Sequence, residues 1–178
     1  MAKPTPDRPG QNDPGPGRRL GLDVGTARIG VAVSDRDCVL ATPVETVPRD
    51  SGFNGPDGDD IHRILELVVE YGVVEIVIGL PRQLSGGQSI SIKHAKEIGF
   101  RLSRKLSNLG LSIPVIRYAD ERLTTVIAHH ALQSSGVKAK DSKAIIDQAA
   151  AVEILQAWLD GRRNALARVA EDETQDEE

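Results

Sequence analysis

Apolar and polar residues alternate from Arg19 to Val24, with Leu20, Leu22 and Val24 on one face and Arg19, Gly21 and Asp23 on the other. A period of two predicts a strand. After a short connection led by Gly25, Ile29 to Ser34 continues in the same manner, and the two segments predict a hairpin. Thr42 to Val47 is β-rich, and Pro43 suits an edge or a strand start. Arg49 to Asp60, rich in Gly and Asp, reads as a mobile loop.

The period then lengthens. Ile61 to Tyr71 is an amphipathic helix with Gly72 as its stop. Val73 to Ile78 is almost continuously apolar, as in a strand buried on both faces, and Gly79-Leu80-Pro81 ends it. A polar loop from Arg82 to Gln88 leads into a long helix, Ile90 to Asn108, studded with Lys93, Lys96, Arg101, Arg104 and Lys105. Pro114 to Ala119 reads as another strand. Thr124 or Thr125 can cap a helix to about Gln133, and Ser142 to Asp160 forms the last helix, closed by Gly161. Three consecutive strands predict an antiparallel meander, and the two strands joined by crossover helices should be parallel. The expected fold is α/β, a mixed five-stranded sheet flanked by helices.

Composition sets the limits of this domain. At 178 residues the chain has room for one domain. Met1 to Gly17 is rich in Pro and Gly, without periodicity, and is expected to be a disordered arm, 1–17. The folded domain should span 18–170. The tail, 171–178, holds six acids and no base, so the net charge of −4 becomes +2 without it. With only Trp158, Tyr71, Tyr118, Phe53 and Phe100, base stacking on aromatics is not the main binding device. Cys38 is the single cysteine, which excludes an intramolecular disulfide or a cysteine metal site and suits a reducing cytoplasm. No apolar run is long enough to span a membrane, and no signal-peptide segment is seen, so a cytoplasmic location is expected.

Three acidic positions carry the candidate chemistry. Asp23 shares a strand face with Gly21, where a substrate backbone can approach closely. Its structural alternative is a cap on the turn at Gly25. On a helical wheel Ala144, Ala151, Ile154, Leu155 and Trp158 form the core-facing stripe of the last helix, and Asp147 falls near its middle. A core-facing carboxylate must be paired, neutral or metal-bound; Lys143, one turn earlier, is the structural alternative. Asp120-Glu121-Arg122 follows the Pro114–Ala119 strand, and strand ends of this kind hold ligands. Adjacent residues on an extended chain point to opposite faces, so only one of Asp120 and Glu121 can join Asp23, and the pattern does not decide which. Gathered carboxylates repel by about 4 kcal/mol per pair at 4 Å and an effective dielectric of 20, so a cation between them is expected. Mg²⁺ or Mn²⁺ suits such oxygen ligands and in-line displacement at phosphorus. Arg28, Arg82, Lys138, Lys140 and Lys143 are expected in loops or at helix starts near the proposed site and can hold a nucleic-acid backbone, though each alone is also an ordinary solvated base. Ser85-Gly86-Gly87-Gln88 is a weak phosphate-loop signal. His129-His130 reads as packing or surface.

Gly21-Leu22-Asp23-Val24-Gly25, then Arg28-Ile29-Gly30-Val31-Ala32 and Ser34-Asp35, resembles the N-terminal signature of the YqgF/RuvX family. Gly79-Leu80-Pro81, Asp120-Glu121-Arg122 with Thr124-Thr125, and Lys143 through Asp147 to Ala149-Ala150 are similar to its later motifs, in order. The likeness spans roughly Arg18 to Leu159. It implies an RNase H-like fold related to RuvC-type Holliday junction resolvases, and a nuclease that processes the 5′ end of precursor 16S ribosomal RNA. It further implies catalytic, metal-holding carboxylates at Asp23, at Asp147 and at one acid of the pair, for which Glu121 is taken. Asp120, Arg28, Arg82, Arg122 and Lys143 are then assigned to substrate. The arm, the 49–60 loop and the acidic tail depart from the family's compact pattern.

Three other readings compete with the ribosomal RNA nuclease. A junction resolvase acting on branched DNA needs two symmetric sites and hence a homodimer rather than a monomer. The Leu22-Asp23-Val24-Gly25-Thr26 hairpin also resembles that of actin-like ATPases, but those bind nucleotide between two such domains and this chain has room for one. A non-catalytic module binding structured RNA or ribosomal precursor particles would not need Asp147 on the core side of its helix.

Overall fold

The structure, a computed structural model, describes residues 5–81, 90–121 and 139–176; the side chains at 121 and 139–144 also lie outside the description. Five strands, β1 (Arg19–Val24), β2 (Arg28–Ser34), β3 (Ala41–Pro48), β4 (Glu75–Pro81) and β5 (Val115–Glu121), form one sheet in the order β3-β2-β1-β4-β5. β1, β2 and β3 pair antiparallel, and β4 joins β1 and β5 in parallel. The helices are α1 (Asp59–Tyr71), α2 (Ile90–Asn108) and α3 (Ala139–Asp176). This mixed sheet with a three-strand meander is the one the pattern predicts, and it has the RNase H-like arrangement that the family resemblance implies. The proposed helix from Thr124 to Gln133, the Ser85–Gln88 loop and His129-His130 lie outside the described residues.

Strand alternation gives the sheet two apolar faces. Leu20, Leu22, Ile76 and Ile78 pack with Ile64, Leu67, Ile98 and Leu102 of α1 and α2. Ala32, Val77 and Ala119 pack on the other side with Ala151, Ile154, Leu155 and Trp158 of α3. The core-facing stripe expected of the last helix is therefore the buried one. Burying these aliphatic side chains contributes about 1.5–3 kcal/mol each. α1 ends where expected: Gly72 takes φ 62° and ψ 44°, a left-handed cap that Gly adopts without a steric penalty.

Four expectations change. β5 runs on through Asp120 and Glu121 because its parallel pairing with Leu80 and Pro81 continues, so these acids end the strand rather than follow it. α3 passes through Gly161, which does not stop it, and continues to Asp176 in the tail. A Cβ at Gly161 would meet Pro9 Cγ at 2.9 Å, so this glycine serves the seating of the arm. The arm itself is packed rather than disordered over the described residues. Asp7 exchanges backbone and side-chain hydrogen bonds with Tyr118 on the outer edge of β5, and Asp13 pairs with Arg19 and Arg162. Finally, the 49–58 loop is tied down. Buried Arg101 donates to the Gly52 and Gly55 carbonyls and to Asp57, while Asp50 accepts from the Asp59 and Asp60 amides at the start of α1. None of the helices, among the described residues, is long and apolar enough to cross a membrane.

Candidate active site

Two glycines seat α3 on the sheet. A Cβ at Gly21 would come within 2.7 Å of Leu155 Cβ and 3.0 Å of the Ala151 carbonyl oxygen. A Cβ at Gly30 would overlap the Asp147 carbonyl oxygen and lie 3.0 Å from Asp147 Cβ. Strand glycines of this kind permit close backbone approach. The approaching backbone at Gly21 is that of α3, which corrects the expectation of a substrate there.

The seat at Gly30 brings the acids together. Gly30 is the cross-strand partner of Asp23, and Gly21 that of Ala32. Directly opposite residues in an antiparallel pair share a face. Asp23 therefore faces the α3 side, next to the glycine on which Asp147 rests. Arg28 is two residues before Gly30 on the same face. Its Nε donates to Asp147 Oδ2 at 2.5 Å, with the Arg28 side chain 36% and the Asp147 side chain 22% exposed. Gln148 Nε2 donates to Thr46 Oγ1 at 3.0 Å and fastens this turn of α3 to β3.

The same parity separates the paired acids on β5. Ile116 and Tyr118 pack toward α1 and α2, whereas Ala119 packs toward α3. Asp120, exposed, continues the Ile116–Tyr118 series and stands on the face away from Asp23 and Asp147. Position 121 continues the Ala119 series; the Glu121 side chain is outside the described residues. So are Arg82, Arg122 and Lys138, and the side chains of Lys140 and Lys143. The partner observed for Asp147 is Arg28, a pairing the sequence does not reveal.

Burial shifts two carboxylates of α3 upward, Asp147 and Glu153, and only Asp147 lies at this site. Burial raises its pKa, and the hydrogen bond and charge of Arg28 lower it by less, so the net shift is upward. Asp23 and Asp147 offer hard oxygen donors from one face, the donor type Mg²⁺ and Mn²⁺ take. Among the described residues no three His, Cys, Asp or Glu side chains form a metal-holding group. Two carboxylates together with waters suit such a cation, and position 121 falls in the same parity series of β5 as Ala119.

Sequence reasoning misses a supporting residue, Arg49, only 5% exposed at its side chain. Its Nη1 donates to the Gly25 carbonyl at 2.8 Å, its Nη2 to the Ser51 carbonyl at 3.0 Å, and Asp60 lies 3.4 Å from its Nε. It thereby fixes the β1–β2 turn between Asp23 and Arg28. Its only sequence signal is a cation at the end of a β-rich run, which does not distinguish it from a solvated one.

Comparison with known proteins shows the family to which the chain belongs. The model of the RuvX family, described as "Holliday junction resolvase", matches residues 17–161. A Corynebacterium glutamicum protein named "Putative pre-16S rRNA nuclease" is 62% identical over 174 residues, covering 98% of this chain and 94% of that protein. A Mycolicibacterium smegmatis protein of the same name is 54% identical over 162 residues, covering 91% of each. Among solved structures, RuvC from T. thermophilus in complex with a Holliday junction substrate is 14% identical, with 83% of this chain and 96% of that chain covered and a TM-score of 0.46. The chain belongs to the RuvX family.

Proposed function

We propose that this chain is a metal-dependent endonuclease that hydrolyses phosphodiester bonds in structured RNA, trimming the 5′ end of precursor 16S ribosomal RNA. The observation that carries the reading is Asp147 seated on Gly30, beside the cross-strand position of Asp23. A helix whose backbone seats a partly buried Asp147 against that glycine, next to a second carboxylate, accepts a desolvation penalty, and a bound cation offsets it. The names of the relatives supply the substrate class.

In this reading Asp23, Asp147 and Glu121 hold Mg²⁺ or Mn²⁺. Bound there, the ion would favour deprotonation of an attacking water and stabilise charge on the leaving oxygen. Asp23 and Asp147 orient the site from opposite elements, β1 and α3. The Gly30 seat fixes their spacing, and Arg49 holds the intervening turn. Arg82, Arg122 and Lys143 are assigned to the phosphate backbone, where cations position a nucleic acid without reading its sequence. Asp120, on the other face, has no part in the metal site, and its role toward substrate is confined to that face. The domain proper is taken as 18–170. The described arm and tail are packed or helical appendages to it.

The test is cleavage of a precursor 16S fragment and of a four-way DNA junction, side by side, with Mg²⁺, Mn²⁺ or chelator, by wild type and Asp23→Asn. Metal-dependent cutting of the RNA alone, lost in the variant, is the expected result. The family description favours one second reading, a resolvase acting on branched DNA. It requires a homodimer, so junction cutting together with a dimer in sedimentation would select it. No cutting of either substrate by folded protein would leave an RNA-binding module.

A further inference from the structure

Arg28 binds Asp147, a carboxylate of the candidate site, through its side chain, and it carries the kind of charge that a metal would supply. Its backbone is held firmly. Gly25 donates to the Arg28 carbonyl at 2.9 Å, Arg49 donates from its amide to the Ala27 carbonyl at 3.0 Å, and Arg49 also grips Gly25. The side chain is not held in this way. It is 36% exposed and, among the described residues, makes one hydrogen bond, to Asp147 Oδ2. Arg19, by contrast, is wholly buried and donates to five partners.

We propose that Arg28 is the internal counter-cation of this site, competing with the divalent ion for Asp147, so that the metal loads against the guanidinium. The inference rests on the metal-dependent reading above and adds a regulator of loading to it. Two physical effects oppose each other. Arg28 orients the Asp147 carboxylate, which favours metal binding. It also occupies an oxygen of that carboxylate and places a positive charge beside the ion, which disfavours it. The charge effect dominates here because Asp147 is already oriented by its seat on Gly30 and by the neighbouring Gln148–Thr46 bond, both independent of Arg28.

The experiment is a Mn²⁺ titration of the full chain, followed by electron paramagnetic resonance, for wild type, Arg28→Gln, Arg28→Lys, Asp147→Asn and the Arg28→Gln/Asp147→Asn pair. Loss of one charge-assisted hydrogen bond predicts that Arg28→Gln binds Mn²⁺ about tenfold tighter. Arg28→Lys keeps the charge and should stay near wild type. The gain should vanish in the Asp147→Asn background. Thermal melting gives a second readout, with Mn²⁺ raising the Tm of Arg28→Gln more than that of wild type. Equal or weaker binding by Arg28→Gln, or a gain that survives Asp147→Asn, would overturn the inference while wild-type binding keeps the metal site intact. Absence of Mn²⁺ binding by both wild type and Arg28→Gln would overturn the metal site and the inference together.

Discussion

Glu75 and Asp147 lie in the same layer, between the sheet and α3, yet the chain treats them differently. Glu75, with its side chain 2% exposed, accepts from Arg19 Nε at 3.1 Å, Arg117 Nε at 3.2 Å and Trp158 Nε1 at 2.9 Å. Asp147 is more exposed and, among the described residues, has one donor, Arg28. Glu75 is satisfied by groups from β1, β5 and α3 and locks these elements together. Asp147 is held in place by its backbone, through Gly30, while its carboxylate has a raised pKa and, among the described residues, an oxygen not used by Arg28. A carboxylate fully consumed by the fold is structural. One positioned by the fold but under-satisfied is available to a ligand.

The largest expected effect falls on the structural side. Glu75→Leu leaves Arg117 and the Trp158 N–H without their carboxylate and removes one partner of Arg19. Breaking a buried charge network by one member costs about 3–5 kcal/mol, read as a lower urea midpoint. A loss under about 1 kcal/mol would erase the contrast. Next comes the functional side: Asp147→Asn should lower cleavage by on the order of 100-fold or more, as for the loss of one electrostatic stabiliser of a transition state. Its metal-free stability should stay within about 0.5 kcal/mol of wild type, or rise slightly. The sign follows from linkage. A folded pKa raised above 3.8 gives stability that is full below the unfolded value and lost as pH rises through the folded one, so the ionised carboxylate is a burden at neutral pH.

Asp60 sharpens the contrast through pH. Burial raises its pKa, but the hydroxyl and amide of Ser51, with the Asp50 amide, outweigh that and hold it at about 2. Its contribution is therefore fully present above the unfolded value of 3.8 and lost as pH falls through about 2. Replacing it by Asn should flatten the acid limb of a stability–pH curve between those values, whereas Asp147→Asn should change the curve in the opposite sense above pH 3.8. Both are read from urea midpoints across the pH series.

The comparison also explains what the sequence discloses. Asp147 was legible because it interrupts an apolar stripe of period 3.6, and Ala151, Ile154, Leu155 and Trp158 are indeed buried around that face. Asp23 was legible from strand alternation. The choice between Asp120 and Glu121 was not, since it depends on which face of β5 meets α3, a register relation with β4. The buried pairings of Glu75, Arg19 and Arg101 are not legible, because a buried ion pair joins residues far apart in the chain, and no local period marks either end. Gly21 and Gly30 advertised close approach without saying what approaches, and Gly161 looked like a helix stop when its partner was Pro9.

The smallest effect is predicted for the arm, where the two kinds of acid come closest to each other. Asp13 belongs to the Glu75 side: it accepts from Arg19 Nη2 at 3.0 Å, from Arg162 at 2.8 and 3.0 Å, and from the Gly15 amide at 3.0 Å. Its side chain is 11% exposed and that of Arg162 is 12%, so water can replace part of what is lost. Arg19 keeps Glu75 and two backbone carbonyls in any case. Asp13→Ala should therefore cost about 1–2 kcal/mol in urea unfolding, below Glu75→Leu, and leave the cleavage rate of the folded protein unchanged. If Asp13→Ala also weakened Mn²⁺ binding, the arm would be coupled through β1 to the carboxylates at its far end, and the division between a locked end and an available end of the sheet would not hold.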